Sequence, residues 1–163
     1  MKHDKPICPI EFDESLKKKE IRFSVPGKPF GKQRPRFVRR GRFTSTYTPK
    51  ETVEYENKVK ESYKREVGNI KLEGAIEAKI VGTFPIPQSA SKKQKDEILS
   101  GRVKYTKKID CDNMAKSILD ALNEIAYDDD SQVFDLSAKK RYGENPRVDV
   151  LLREVRENYD EFK

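Results

Sequence analysis

The sequence predicts an α+β fold, in which a mixed β-sheet is packed with helices in a single domain. Segments that alternate between apolar and polar residues are interspersed with segments of helical spacing, in the order strand, helix, strand, helix, helix, strand, strand. The chain of 163 residues is long enough for one domain with its own core. No internal repeat is visible, so one α+β domain is the expected architecture.

The N-terminal half is predicted to contain a strand, a helix and a second strand. Residues 21–25 alternate apolar and polar side chains until Pro26 ends the strand. A basic loop or hairpin follows. The sequence Thr48-Pro49-Lys50-Glu51 then predicts a helix start, with a Thr N-cap, a Pro in the first helical position and a Glu that closes a capping box. The helix is predicted to run to about Val67, and a strand is predicted over Ile76–Phe84.

The C-terminal half is predicted to contain two helices and two strands. Ser91 and Gln94 form a second capping box, which opens a short basic helix. An amphipathic helix is predicted from Asp112 to Ile125, because its apolar residues recur at helical spacing. Period-two alternation predicts strands over Val133–Lys140 and Val148–Leu152, joined by a proline-containing turn.

The charge of the chain favours a nucleic-acid partner. Charged residues make up 39% of the sequence, the formal net charge is +7, and the pI is near 9.3. No apolar stretch approaches the roughly 20 residues that a membrane-spanning helix needs. The N-terminus also lacks the apolar run of a signal peptide. We therefore expect a cytoplasmic protein with no membrane partner.

The two ends of the chain differ from its middle. Residues 1–19 lack sustained periodicity and predict a poorly ordered N-terminal arm, residues 20–155 form the predicted domain, and residues 156–163 predict a charged C-terminal tail. Cys8 and Cys111 show no spacing typical of a disulfide framework, so free thiols are expected. A zinc site is not supported either, because the sequence has a single histidine and no Cys-x-x-Cys pair.

Aspartates lie before and after the amphipathic helix. Asp110 and Asp112 precede its apolar run, and Asp128–Asp130 follow it, although the chain as a whole is basic. Like charges in proximity raise one another's pKa and destabilise a fold unless a cation lies among them. We hypothesise that the chain turns back, so that Asp130, with Asp129, faces Asp110 and Asp112 around one or two magnesium ions. Such ions would keep coordination positions open for phosphate oxygens and activate a water for attack on a phosphodiester.

A purely structural explanation of these aspartates stays open. Asp112 is well placed to cap the helix, and Asp128–Asp130 fit a solvated acidic turn. This explanation leaves Asp110 without a role and places negative charge at the helix end that the macrodipole disfavours. A calcium-binding EF-hand is excluded, because Ala121 stands where that loop requires a glutamate.

Lys116 has two interpretations of equal weight on spacing alone. It follows Asp112 by four residues, so it lies on nearly the same helical face, within reach of a metal or its phosphate. It also precedes Asp120 by four residues, which would give an exposed ion pair worth a few tenths of a kcal/mol.

The segment from Ile21 to Lys50 contains nine cations and no Asp or Glu. Prolines, glycines and aromatic residues are interleaved with the cations, as expected of a loop that follows a phosphate backbone with rings available for stacking. A second basic tract leads directly to Asp110. The predicted DNA-binding residues are Lys28, Lys32, Arg34, Arg36, Arg39, Arg40, Arg42, Lys107 and Lys108.

Several motifs together resemble one protein family. The stretch Lys-Lys-Ile-Asp-Cys-Asp-Asn-Met-Ala-Lys at 107–116, with Asp-Ala-Leu-Asn at 120–123 and Asp-Asp-Ser-Gln at 129–132, closely resembles the RusA family of Holliday junction resolvases. Further segments at 26–36, 47–49 and 144–148 resemble the form of this family found in bacteria and their prophages. The resemblance covers roughly residues 20–155. The departures are small: Ile109, Cys111 and Glu124 stand where the family more often has a proline, an aliphatic residue and a glycine.

The resemblance implies a RusA-like fold and a dimeric, magnesium-dependent endonuclease, in which manganese can substitute for magnesium. Such an enzyme recognises four-way DNA junctions by shape and cuts two symmetrically placed strands, in recombination and repair. The catalytic and metal-binding aspartates correspond to Asp110, Asp112 and Asp130, and Asp129 matches a neighbouring acidic position. The catalytic lysine corresponds to Lys116, which favours the first interpretation of that residue.

Two other functions are compatible with the sequence. One is a broader structure-specific nuclease that acts on flaps, forks or replication intermediates. The other is a non-catalytic junction-binding protein, in which the aspartates have only a structural role. A panel of branched substrates separates the two nucleases, and junction binding without cleavage identifies the third.

Overall fold

The computed structural model describes residues 10–13 and 18–155. The described elements, in chain order, are β1 (Ile10–Asp13), β2 (Lys18–Pro26), β3 (Arg36–Arg40), β4 (Phe43–Tyr47), α1 (Lys50–Glu66), β5 (Ala75–Pro85), α2 (Lys92–Leu99), α3 (Cys111–Ala121), a short 3-10 helix (Asp130–Gln132), β6 (Val133–Gly143) and β7 (Arg147–Val155). The predicted order of strands and helices is confirmed, and the basic segment forms the hairpin β3-β4. Residues 1–9, 14–17 and 156–163, which include Cys8, lie outside the described part.

The described strands form a mixed sheet and a separate ribbon. The sheet has the order β1-β2-β7-β5-β6, and β3 pairs only with β4. Neighbouring strands of the sheet are antiparallel except β5 and β6, which run parallel. A parallel pair needs a long crossover connection, and here the connection contains α2 and α3. The predicted α+β class is therefore confirmed, and β1 adds a strand within the segment interpreted as an N-terminal arm.

One face of the sheet carries the apolar core. Alternate residues of β2, β5 and β7 are buried there, and α1 and α3 cover them with their own apolar stripes. The ring of Phe23 meets that of Tyr63 edge to face, with centroids 5.3 Å apart. Each fully buried large side chain contributes roughly 1.5–3 kcal/mol. None of the helices within residues 10–13 and 18–155 has the length and apolar character needed to span a bilayer.

A glycine in β5 determines how closely α3 approaches the sheet. A Cβ on Gly82 would lie only 2.3 Å from the sulfur of Met114, a distance that real Cβ atoms do not show. Met114 is fully buried. The absence of a side chain at position 82 thus allows α3, the helix between the two groups of aspartates, to pack directly on the sheet.

The two predicted capping boxes have different outcomes. Ser91 and Gln94 form theirs as expected, with both reciprocal hydrogen bonds. The box at Thr48 and Glu51 is wrong, because α1 begins at Lys50 and its N-cap is Pro49, which has no side-chain hydrogen-bond acceptor. The Pro49 carbonyl instead accepts the N–H groups of Thr52 and Val53. The start of the helix was thus predicted to within two residues, but its cap was not.

The helix α3 ends at Ala121, four residues before the predicted end at Ile125. Glu124 lies in the left-handed region with φ 65°, and this turns the chain away from the helix axis. The buried Tyr127 then folds back, and its hydroxyl donates to the Leu119 carbonyl at 2.7 Å. This contact gives the Leu119 carbonyl a second donor, beside the Leu122 N–H, and fixes the segment that leads to the second group of aspartates.

Candidate metal site and nucleic-acid interface

The N-terminal acidic group, Asp110 and Asp112, lies where α3 begins. Asp110 is the N-cap residue, but its side chain makes no capping hydrogen bond. Both side chains are exposed, and no side chain in the described part of the chain pairs with either carboxylate. The capping role considered for Asp112 is wrong, because this residue lies within the first turn of the helix. Both carboxylates are therefore free for another partner, next to the positive end of the helix dipole.

The loop before α3 is held in place by β6. Lys140 Nζ donates to the carbonyls of Lys107 and Ile109, at 3.2 and 2.9 Å. Its ammonium also lies 5.4 Å from the centre of the Tyr105 ring. Ile109 has φ 83°, a conformation that costs a β-branched residue about 1–3 kcal/mol. The contacts of Lys140 hold this strained backbone, from which Asp110 projects at the next position.

The start of the basic segment is fixed against α3. Ser117 Oγ lies 2.9 Å from the Phe30 carbonyl and 2.7 Å from the Met114 carbonyl of its own helix, and its one proton is shared between these two acceptors. A Cβ on Gly31 would lie 2.9 Å from Asn113 Nδ2 and 2.9 Å from Ile109 Cγ2. A glycine at position 31 therefore permits an approach that a side chain would obstruct. This contact links the residues that lead into the β3-β4 ribbon to the helix that follows Asp110.

The C-terminal acidic group consists of Asp120, Asp129 and Asp130. Asp129 caps the short 3-10 helix, and its carboxylate accepts the N–H of Ser131 at 3.4 Å and also the Ser131 hydroxyl. The hydroxyl hydrogen bond holds the pKa of Asp129 below its usual value. The Gln132 side chain accepts the N–H groups of Asp128 and Asp129 and donates to the Gly74 carbonyl. Asp129 thus has a structural role in the turn that presents Asp130.

Asp130 faces the last turn of α3. Its carboxyl group is in hydrogen-bonding contact with that of Asp120, and Lys116 is near enough to act on it electrostatically. Partial burial raises the pKa of Asp130 most. The contact with Asp120 and the charges of Asp120 and Asp129 raise this pKa further, whereas the charge of Lys116 lowers it. Two carboxyl groups in contact require a shared proton or a neighbouring cation.

Lys32 supplies a positive charge to this group. Its Nζ lies 2.5 Å from the carboxylate of Asp120 and 3.4 Å from that of Glu56. Partial burial alone would lower the pKa of Lys32, but the hydrogen bonds and charges of these two carboxylates outweigh it and raise the pKa. The ion pair considered between Lys116 and Asp120 is not formed, since Asp120 pairs with Lys32 instead. Lys116 is exposed on the same helical face.

The two acidic groups lie at opposite ends of α3. Asp112 and Asp120 are eight residues apart, which is roughly 12 Å along a helix axis, and Asp130 lies beside Asp120. Within residues 10–13 and 18–155, no three His, Cys, Asp or Glu side chains are grouped closely enough to hold a metal ion. The structure thus places Asp130 beside Asp120 and Asp129, with Lys116 near enough to act on its carboxyl group.

The β3-β4 ribbon carries four of the nine predicted DNA-binding residues, Arg36, Arg39, Arg40 and Arg42. Its backbone pairs only with itself, and four of its arginines are exposed. Phe37 and Phe43 are also exposed, at 76% and 83%. Of the nine predicted residues, Lys32 is the one that the structure directs toward carboxylates. The others are exposed: Lys28, Arg34, Arg36, Arg39, Arg40, Arg42, Lys107 and Lys108.

A second basic surface lies near the end of α2. A groove of about 820 Å³ separates this end from β5 and β6. Its apolar lining includes Ile98 and Val103. Lys140, which holds the loop before Asp110, also lines the groove. The other cations of the lining are Lys104, Lys139, Arg141 and Arg147.

Comparison with known proteins assigns the chain to a family. The family model for endodeoxyribonuclease RusA matches residues 26–153, a region that contains every predicted site residue. The chain belongs to the RusA endodeoxyribonuclease family. The chain is also similar to the uncharacterized protein YqaN of Bacillus subtilis (strain 168), with 35% identity over 137 residues, which cover 83% of this chain and 96% of YqaN. Membership of the RusA family supports nuclease activity on DNA.

The contacts of Asp120 and Glu56 were not predicted from the sequence. A signal was present for Asp120, which follows Lys116 by four residues and Asp112 by eight, and so lies on the same helical face. No local signal was present for Glu56, because its approach to Lys32 depends on the packing of α1 beside α3.

Proposed function

We propose that this RusA-family protein is a magnesium-dependent endodeoxyribonuclease that resolves four-way DNA junctions by paired, symmetric phosphodiester hydrolysis, in recombination and repair. The observation that carries the proposal is the N-terminal acidic group, whose two exposed carboxylates lie among cationic surfaces. The cations attract a phosphate backbone, whereas the carboxylates repel it unless an ion lies between them. Metal-dependent hydrolysis of DNA explains why both kinds of group occur together.

The donor set of this group fits a hard divalent cation. Asp110 and Asp112 offer carboxylate oxygens, and magnesium typically binds through one or two carboxylates plus waters and substrate phosphates. Asp130 is proposed as a further metal-binding and catalytic residue, and Asp129 as its acidic neighbour. Magnesium is the proposed ion, and manganese can replace it. When bound, the ion supplies Lewis-acid polarisation of the phosphodiester and a bound water of lowered pKa.

Lys116 is proposed to bind the phosphate under attack. Its exposed ammonium lies four residues from Asp112 on the same helical face, and it already acts electrostatically on Asp130. A cation at this point stabilises the negative charge that develops on phosphate oxygens during hydrolysis.

The DNA backbone is proposed to follow the exposed cations of the ribbon and of the loop before α3. These residues lie on both sides of the N-terminal acidic group in sequence, and the contacts of Gly31 and Ser117 join them in space. Neutralising Arg34 and Arg36 is expected to reduce the slope of log affinity against log salt by about 0.9 for each lost phosphate contact on duplex DNA. An unchanged slope would contradict a role for these two arginines.

The protein is proposed to act as a homodimer. A four-way junction has approximate two-fold symmetry, and a dimer with a matching axis places two equivalent sites on two strands. Sedimentation equilibrium measures the mass directly, and a monomer at the concentrations that support cleavage would contradict this part of the proposal.

The proposed reaction is tested with a synthetic four-way junction and magnesium. We expect paired nicks from the wild-type protein, none from Asp112→Asn, and wild-type activity from Lys71→Gln, which removes a lysine outside the site. Equal nicking by Asp112→Asn, or no nicking by the wild type, would contradict the proposal. Equal cleavage of flaps and forks would instead identify a broader structure-specific nuclease. Junction binding without cleavage, together with stability unchanged by chelation, would identify a non-catalytic protein.

A further inference from the structure

Two phenylalanines of the β3-β4 ribbon are the most exposed large apolar side chains within the described residues. Phe43 is 83% exposed and Phe37 is 76% exposed, and Tyr47 on the same ribbon is 47% exposed. A two-stranded hairpin alone is only marginally stable, and exposed rings add nothing to its packing. Exposed apolar side chains with charged neighbours are typical of a binding surface.

The register of the ribbon divides its side chains between two faces. Directly paired residues share a face, so Arg40 lies beside Phe43, and Arg36 lies beside Tyr47. These four residues define the arginine–aromatic face. Arg36 and Arg40 are four residues apart in β3, which is about 13 Å along a strand. The opposite face carries the pairs Phe37–Thr46 and Arg39–Thr44, so its single ring has a threonine as cross-strand neighbour.

The chemistry of the arginine–aromatic face matches single-stranded nucleic acid. Proteins that bind unpaired strands combine cations that follow the backbone with rings on which bases stack. Bases inside a duplex stack on one another and do not present their faces, whereas a branch point interrupts this stacking. An acidic peptide would satisfy the arginines but would not explain two separate rings, each with its own arginine.

We propose that the arginine–aromatic face is a nucleobase-binding site, in which Phe43 and Tyr47 stack on bases that are unstacked at the branch point of a DNA junction. This inference rests on the proposed function, and it assigns the recognition of branched DNA to a defined surface. Linear duplex DNA uses the arginines of this face, and branched DNA uses the arginines together with the rings.

The experiment removes rings without changing charge. Phe43→Leu and Tyr47→Leu alter the proposed site. Phe37→Leu is the control for Phe43→Leu, because it removes a ring of similar exposure from the opposite face of the same ribbon. Affinities for a four-way junction and for a linear duplex of equal length are measured without divalent metal at several salt concentrations. A 2-aminopurine at the branch point reports the stacking of that base directly.

We expect Phe43→Leu and Tyr47→Leu each to weaken junction binding about tenfold. Duplex affinity and the salt slope should stay unchanged, because no phosphate contact is lost. Phe37→Leu should bind both DNAs as the wild type does. Phe43→Trp keeps a ring and should bind the junction normally, which distinguishes loss of stacking from loss of the ribbon's structure.

The inference would be overturned by normal junction binding of Phe43→Leu, by an equal loss with Phe37→Leu, or by an equal loss on the linear duplex. A loss with Phe43→Trp as large as that with Phe43→Leu would also overturn it. Failure of the wild type to bind or cut junctions contradicts the proposed function instead. A wild type that cuts junctions, with a Phe43→Leu variant that binds them normally, contradicts this inference alone.

Discussion

The two acidic groups of α3 have the same chemistry but different surroundings. At the N-terminal end, Asp110 and Asp112 are exposed, and no described side chain neutralises them. At the C-terminal end, Asp120 pairs with Lys32, Asp130 contacts Asp120, and Asp129 caps a turn. The helix dipole favours negative charge at the N-terminal end of α3 and disfavours it at the C-terminal end. The protein supplies a compensating positive charge to the C-terminal acidic group, whereas the N-terminal acidic group is left available for a ligand.

This difference separates the unpaired carboxylates of Asp110 and Asp112 from the Lys32–Asp120 ion pair, which stabilises the fold. Removing a charge from the N-terminal group should affect catalysis with little effect on stability. Removing the compensating charge of the C-terminal group should affect stability directly. Each of the following experiments tests one side of this comparison.

The largest effect is expected from Asp110→Asn on the rate of junction cleavage. The substitution removes a proposed metal ligand. The cleavage rate should fall at least about 100-fold, because even the loss of a residue that only hydrogen-bonds to a metal ligand typically reduces activity 10- to 100-fold. Asparagine is as good an N-cap as aspartate, so the free energy of unfolding should change by less than about 0.5 kcal/mol. Cleavage rates and urea denaturation measure the two quantities. A variant that is destabilised but cleaves junctions at the normal rate would show that Asp110 has a structural role instead of a catalytic one.

Lys32→Gln is expected to have a smaller effect, and the quantity that it lowers is the free energy of unfolding. Loss of the ammonium leaves the carboxyl groups of Asp120 and Asp130 in contact without a compensating charge. Breaking a fully buried ion pair costs about 3–5 kcal/mol, and this pair is partly exposed, so we expect a loss of about 1–2 kcal/mol in urea denaturation.

Lys71→Gln is the control for this measurement. Lys71 also pairs with an aspartate, Asp128, but both side chains are well exposed. Its removal should change the free energy of unfolding by less than about 0.5 kcal/mol. Equal effects of the two lysine substitutions would show that the C-terminal acidic group does not depend on Lys32.

The smallest effect is expected from alkaline pH. The folded pKa of Lys32 is raised above its ordinary value of 10.5. The stabilisation by Lys32 is therefore fully present below pH 10.5 and is lost as the pH rises through the folded pKa. The difference in stability between wild type and Lys32→Gln should be smaller at pH 11 than at pH 8. The buried tyrosines are present in both proteins, so their titration cancels, and a difference that grows with pH would contradict the assignment.

The elements that depend on local periodicity could be predicted from the sequence. The apolar stripe of α3 and the alternation of β5 were correct because burial of one face determines both patterns. The cap of α1 was wrong, since the side chain of Thr48 does not take the role that its position allowed. The end of α3 was placed too late, because the turn at Glu124 depends on the burial of Tyr127.

The residues of the candidate site could be predicted from the sequence better than their arrangement in space. The proximity of Asp110 and Asp112 to a helix start follows from their positions in the chain. The inward orientation of Lys32 could not be predicted, because it requires residues 30–32, α1 and α3 to meet in space. A local pattern identifies a lysine in a basic segment, but only the packing shows whether its charge faces phosphates or carboxylates.

The N-terminal acidic group is proposed to bind a divalent cation. The most direct test is titration with manganese, followed by electron paramagnetic resonance of the free ion, for the wild type and for Asp112→Asn in the absence of DNA. We predict that Asp112→Asn weakens manganese binding at least about tenfold while Lys71→Gln leaves it unchanged. Equal manganese affinity of the wild type and Asp112→Asn would contradict the claim.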